Sequence, residues 1–288
     1  MNKNSAEIIR ALIVDFQNPS ADIRERAAIQ TIDFGTESVL PLIEAARDDN
    51  AHARHMAVWA LGEIGDARAV DVLIEALGDD SETVQEWSAR ALGEMQETRA
   101  IGPLIDLLAS DAASTRRNAA MALGWIGSEP ATAALLQRLN DPDSLVRGAV
   151  ANALGHLKSE QAITELAQLL QDENDWTRSQ AAYALGQIGS EIAVAPLLDA
   201  LIDTGEWVRY NAARSLGQIG STDAFEPLIV LLHQDDNVNV RRGAAEALGI
   251  LGDKRAVPAL EKSLTTEDAH NLKRVIQQAM AAIRARSQ

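Results

Sequence analysis

The dipeptide Leu-Gly returns at a fixed interval along this chain, and that interval limits the fold more than any other feature. It stands at Leu61-Gly62, Leu92-Gly93, Leu123-Gly124, Leu154-Gly155, Leu185-Gly186 and Leu216-Gly217, each 31 residues after the last, and at Leu248-Gly249 after 32. Three residues beyond each Leu lies a second apolar column: Ile64, Met95, Ile126, Leu157, Ile188, Ile219 and Leu251. Gly follows that column at 65, 127, 189, 220 and 252, while Gln96 and Lys158 take its place in two copies. A period of this length belongs to an array of equivalent supersecondary units.

The stretch from Trp207 to Gly220 shows the unit most clearly. Val208, Ala212, Leu216 and Ile219 fall at helical spacing and make one apolar stripe. Gly220 supplies the left-handed residue that ends a helix. Ser221, or its counterparts Asp66 and Asp253, is placed to cap the next helix. That helix reads like Arg99–Leu108, and Pro103, Pro196, Pro227 and Pro258 sit near its start, where a missing N–H costs least. Acidic turns such as Asp79-Asp80 and Asp235-Asp236 lead back to the second helix.

Neither helix of such a pair can bury its stripe alone, so neighbouring pairs must share a continuous core. The expected fold is all-α, a right-handed α-solenoid of about nine antiparallel helix pairs with a 31-residue repeat. Residues 1–35 read as an N-terminal capping repeat, with Phe34-Gly35 in place of Ile-Gly. Residues 36–253 read as regular repeats. Residues 254–288 read as a C-terminal capping repeat, whose last helix is longer, more basic and without Leu-Gly. The chain, 1–288, is then one solenoid without a linker.

Composition agrees with this and removes several functions. Ala and Leu dominate, with three Phe and two Tyr in all, as suits closely approaching helices. With no cysteine there is no disulfide framework, thiolate metal site or cysteine nucleophile, and a reducing, cytoplasmic setting is expected. A net charge of −16 argues against nucleic acid, whose phosphates need a basic stripe. No apolar run approaches the ~20 residues of a membrane span. The opening Met1-Asn-Lys-Asn-Ser carries no apolar secretory core.

Gly62 to Leu77 (Gly-Glu-Ile-Gly-Asp-Ala-Arg-Ala-Val-Asp-Val-Leu-Ile-Glu-Ala-Leu) closely resembles the HEAT-like repeat of the phycobilisome-lyase type, and the resemblance extends over nearly the whole chain. Repeats of this kind occur in chaperone-like lyases that attach bilins to phycobiliproteins, in phycobilisome-turnover and iron-cluster-associated proteins, in deoxyhypusine hydroxylase and in bacterial adaptors. The resemblance also accounts for a periodic arginine. Arg24, Arg54, Arg116, Arg147, Arg178, Arg209 and Arg241 recur with the repeat, Gln85 being the exception. In HEAT-like stacks this Arg forms a structural ladder with acidic turn residues, here Asp111, Asp141, Asp172, Asp203 and Asp235.

Function then belongs to the columns that do not repeat. The resemblance implies that second helices line the concave face, where positions 207, 210, 211, 214 and 218 and their equivalents point outward. These positions hold His52, His55, Met56, Trp59 and Glu63, then Trp87, Arg90 and Glu94, then Arg117, Asn118, Met121 and Trp125. Asn152 and His156 follow, then Trp176, Gln180, Tyr183 and Gln187, then Trp207, Tyr210, Asn211, Arg214 and Gln218, and lastly Arg242 and Glu246. All five Trp and both Tyr fall here. Such aromatic and Arg side chains are enriched at binding hot spots. The expected partner-binding face is therefore Trp59, Trp87, Arg90, Arg117, Met121, Trp125, Trp176, Tyr183, Trp207, Tyr210 and Arg214. A plainer reading has the same rings covering gaps between adjacent helices.

Enzyme chemistry finds little to stand on. The hydroxylase branch uses His-Glu pairs, and this chain has no His-Glu dipeptide. His52 and His55 share a helix face with Glu63, but a third metal ligand cannot be named. No Ser/His/Asp spacing suggests a triad, and no glycine loop suggests phosphate binding. The expected function is a non-enzymatic scaffold or adaptor that holds a partner protein in the groove, with no cofactor. The alternative is a bilin-lyase-type subunit, in which Arg90, Arg117 or Arg214 would meet propionates and the rings would face the pyrroles of a bilin on a phycobiliprotein. An iron–sulfur or other metal-delivery scaffold ranks third, because a chain without thiolates can only support a partner that holds the cluster.

Overall fold

A computed structural model describes residues 3–286 and shows how the repeat is realised. Among these residues there are eighteen α-helices and no strand. The helices alternate as nine pairs: a first helix such as Ile101–Leu107 and a second, longer one such as Ala113–Ile126. The chain is a helical solenoid, and it divides into two compact units, Met1–Leu135 and Leu136–Gln288. The packing described below lies within one unit or the other.

Three columns make the core. The Leu of every Leu-Gly is fully buried, from Leu61 to Leu248. Facing it are the first-helix residues Leu42, Leu73 and Leu104 in one unit and Leu166, Leu197, Leu228 and Leu260 in the other, all without exposure. An Ala just before most first helices, such as Ala69, Ala100 or Ala224, closes the corner. The Ile column three residues after Leu is only half-buried except at Ile126, because it lies where the helix is already turning away.

Most first helices are entered through a single 3-10 turn, which the sequence pattern did not separate from the helix. Asp66 and Asp253 cap that turn by accepting the backbone N–H two residues on. Ser221, expected to do the same, accepts none; its hydroxyl is one bond shorter than a carboxylate, and the turn closes through Ala224 N–H to the Ser221 carbonyl.

The Gly of Leu-Gly serves close approach between consecutive second helices. A Cβ on Gly217 would lie 2.6 Å from Ala247 Cα, and one on Gly62 would lie 2.7 Å from Ala91 Cβ, distances no real side chain tolerates. Second helices therefore pack on one another far more extensively than first helices do. The other repeated glycine has a different role. It ends five second helices in the left-handed region, where Gln96 (φ 50°) and Lys158 (φ 49°) are forced to follow without being Gly.

The periodic arginine ties the turns together. Arg147 donates from Nη1 to the carbonyls of Asp141 (2.9 Å) and Pro142 (3.3 Å) and grips Asp172, 25 residues on, through Nε (2.7 Å) and Nη2 (2.9 Å). The same bidentate contact joins Arg54 to Asp79, Arg178 to Asp203 and Arg209 to Asp235, while Arg241 holds Glu267. Asp79 and Glu267 were not named among the acidic mates in the sequence pattern. Arg24 and Arg116 likewise bind the carbonyls five and six residues before them, Asp111 serving Arg116 in this way. Gln85 keeps the carbonyl bond to Asp79 and accepts from Asn118 Nδ2 at 3.3 Å. Each acid also accepts a backbone N–H, as Asp172 does from Asn174 and Asp235 from Asn237. Burial pushes these carboxyls upward, but the arginine and the backbone N–H outweigh it, so Asp79, Asp172, Asp203 and Asp235 lie below the usual carboxylate range.

Two outcomes follow from this architecture. Lys158→Gly removes the left-handed penalty and should raise the free energy of unfolding by about 0.5–1 kcal/mol in urea titrations. The depressed carboxyls contribute fully above the unfolded-state value of about 3.9 and lose that contribution as pH falls through their lower folded values. Arg209→Gln should cost about 3 kcal/mol near neutral pH, since it strands a largely buried Asp235, and should flatten the loss of stability on acidification. An unchanged acid dependence in urea melts would count against the ladder as its source.

Candidate functional site

The outward columns of the second helices carry the chain's aromatic residues, and the helix seam decides how each one sits. With so little space between second helices, one column points into the seam and not outward. Met56 and Asn118, expected on the exposed face, are buried there. Two other members of that column, Gln180 and Asn211, hydrogen bond across the seam: Gln180 Oε1 accepts from Asn152 Nδ2 at 2.8 Å, and Asn211 Nδ2 donates to Ser179 Oγ at 2.9 Å.

In the first unit several side chains of the face pair with one another. Trp59 and Trp87 lie 6.0 Å apart, His55 stands 5.9 Å from Trp87, and Trp59 Nε1 donates to Glu63 at 3.2 Å. Arg90 covers Trp87 at 5.0 Å and donates to Glu94 at 2.8 Å. Arg117 donates to Glu82 at 2.7 Å. These two arginines, implied by the resemblance as propionate ligands, are thus already paired with carboxylates. Trp125 lies flat against Gly93, where a Cβ would meet the ring at 2.5 Å. With Met121, Arg90, Glu86 and Glu94 it lines an open recess of about 650 Å³. Burial, and next His52, lower the affinity of His55 for a proton. Among the described residues no three His, Asp or Glu gather to hold a metal.

The second unit leaves more of its aromatic surface open. Trp176 rests on Gly148 yet is 38% exposed, and Trp207 is 53% exposed. Trp207 meets Tyr210 edge-on, 5.7 Å between centroids at 85°. These three rings, with Asp175, Ser179, Gln180 and Asn211, line an open recess of about 470 Å³ between the helices Asp175–Ile188 and Glu206–Ile219. Tyr183 is half-buried and packs against His156 at 6.2 Å, one helix turn away from that recess. Arg214 and Arg242 lie over Tyr210 at 5.6 and 5.5 Å from its centroid.

One contact had no signal in the sequence. His233 Nδ1 lies 3.0 Å from the buried Ser263 Oγ, on the opposite, first-helix layer. Burial and Lys262 lower the imidazole's affinity for a proton, and the contact ties two first helices together.

Comparison with known proteins places this arrangement. The family model for HEAT repeats matches residues 9–89, 72–144, 132–209 and 195–281. No curated protein sequence matches the chain. Among solved structures, YibA of E. coli superimposes with a TM-score of 0.62 at 21% identity, over 93% of this chain and 98% of that one. A chain from the complex of Kap95p with RanGDP superimposes with a TM-score of 0.65 at 14% identity, and 96% of this chain spans 46% of that one. The CpcE–CpcF phycocyanin lyase of Nostoc sp. PCC7120 gives a TM-score of 0.46 at 24% identity, over 85% of this chain and 94% of that one. These likenesses concern the fold.

The difference in ring exposure is directly measurable. Acrylamide should quench mainly Trp176 and Trp207, and Trp176→Phe/Trp207→Phe should remove most of the readily quenched emission. Retention of that emission would place the exposed indoles elsewhere.

Proposed function

We propose that this chain, which belongs to the HEAT-repeat family, works as a scaffold that holds a partner protein against the outward face of its second helices. One observation carries the reading: Trp176 and Trp207 stand exposed side by side over an open recess, while Trp59, Trp87, Trp125, Tyr183 and Tyr210 are only half-exposed. A Trp side chain offers about 150–250 Å², so the two together leave on the order of 200 Å² of apolar surface in water. Covering it is worth about 5 kcal/mol before the costs of association. That is the anchor region of a protein interface, with Asp175, Gln180 and Asn211 as a polar rim. A chain from the complex of Kap95p with RanGDP shares this fold, and holding a protein partner suits this chain too.

A partner captured from the native source and identified by mass spectrometry should bind the purified chain in calorimetric titration. Trp176→Ala/Trp207→Ala should weaken that binding by at least about a hundredfold, as expected when two anchor residues are lost. Unchanged affinity, with helicity intact by circular dichroism, would remove this face from the interface.

A further inference from the structure

Arginines elsewhere on the second-helix face are neutralised by hydrogen-bonded carboxylates, and Arg214 and Arg242 are not. Arg90 donates to Glu94 and Arg117 to Glu82. By contrast, two guanidinium groups share the one carboxylate of Glu246. Arg214 Nε lies 3.2 Å from Oε2 and Arg242 Nε lies 3.8 Å from Oε1, and neither Nε makes a hydrogen bond among the described residues. The cluster therefore carries one uncompensated positive charge. It is also held in place, because both guanidinium groups lie over Tyr210, which is itself seated against Gly243, where a Cβ would meet the ring at 2.8 Å. Both Nε atoms are buried, so a ligand meets these partly exposed side chains at Nη1 and Nη2, where an immobilised guanidinium suits a planar anion such as a carboxylate.

Tyr210 is at the same time a wall of the Trp176–Trp207 recess. From Trp207 to Arg214 is seven residues along one helix, about 10 Å. An extended chain covers that distance in about three residues. We propose that the recess and the Arg214–Arg242 pair together read an extended segment of a partner protein, in which an apolar side chain is followed within about three residues by Asp or Glu. The segment's side chain fills the recess, and its carboxylate takes the charge that Glu246 leaves unpaired. This deepens the binding role proposed above and rests on it.

A library of random 12-residue peptides displayed on phage, panned against the full-length chain, tests the segment. The wild-type chain should enrich peptides that place an apolar residue within four positions of an acid. Arg214→Gln/Arg242→Gln should keep the apolar preference and lose the acidic one. No acidic preference on the wild type, or the same preference on that variant, overturns the inference. A synthetic consensus peptide should bind the wild-type chain about tenfold more tightly than its Asp-to-Asn version, and the two should bind the double variant alike. Glu246→Gln removes the competing carboxylate and should tighten binding of the acidic peptide; unchanged or weaker binding overturns the pair's role. Trp176→Ala/Trp207→Ala separates the two readings. Should that variant enrich the wild-type peptides, both the segment and the proposed face fall. Absence of any enriched peptide on the wild type overturns the segment alone and leaves the partner titration to judge the face.

Discussion

Consecutive second helices meet almost backbone to backbone, and the rest of the structure follows from that contact. It exists because the residue after each core Leu has no Cβ: at Gly217 even one added carbon would fall 2.6 Å from the Cα of Ala247. Such a seam admits only small or flat neighbours. That explains why Ala fills the chain and why the core Leu can be repeated without change. It also turns an outward-looking column into the seam, burying Met56 and Asn118 and leaving Gln180 and Asn211 to hydrogen bond across it. Large side chains in the remaining columns have nowhere to go but onto the surface.

The arginine ladder works at the turns, where the seam cannot. The carbonyls that follow a first helix would otherwise be unsatisfied, and the guanidinium of the next second helix supplies donors to two of them while holding an acid one repeat further on. A bidentate pair of this kind is nearly buried, with side chains of Arg147 and Asp172 only 13% and 6% exposed. Buried pairs are weak sources of net stability but are costly to break. The ladder is thus best understood as fixing register between repeats, with the acid doubly engaged by arginine and backbone N–H. Each such pair is neutral, so the net charge of −16 comes from acids outside the ladder.

Availability separates the two aromatic clusters more than residue type does. In the first unit Trp59, Trp87, Arg90 and Glu94 satisfy one another, and Arg117 is bound to Glu82. In the second unit glycines at 148 and 243 seat Trp176 and Tyr210, and the indoles of Trp176 and Trp207 stay partly in water. The guanidinium groups beside Tyr210 share one glutamate, which leaves them undercompensated. An aromatic stripe alone is compatible with gap filling, whereas exposed rings bordered by an undercompensated charge are suited to recognition.

Much of this was legible from the period alone. A repeat of 31 residues with apolar residues at helical spacing can only be helix pairs stacked side by side, since neither helix covers its own apolar face. The same period isolated the columns in which every Trp and Tyr would be found, and it marked the periodic Arg as part of the scaffold. Other features were decided by tertiary packing. Whether position 56 or 59 faces solvent depends on how closely the next helix approaches, and helical periodicity carries no information on that distance. How some arginines are paired depends on acids about 30 residues away, at positions where no repeat dictates the residue: Glu82 for Arg117, Glu246 for Arg214. Local pattern sets the helices, because it acts over one or two turns. The binding surface is set across the seam between them, where distance and charge are three-dimensional quantities.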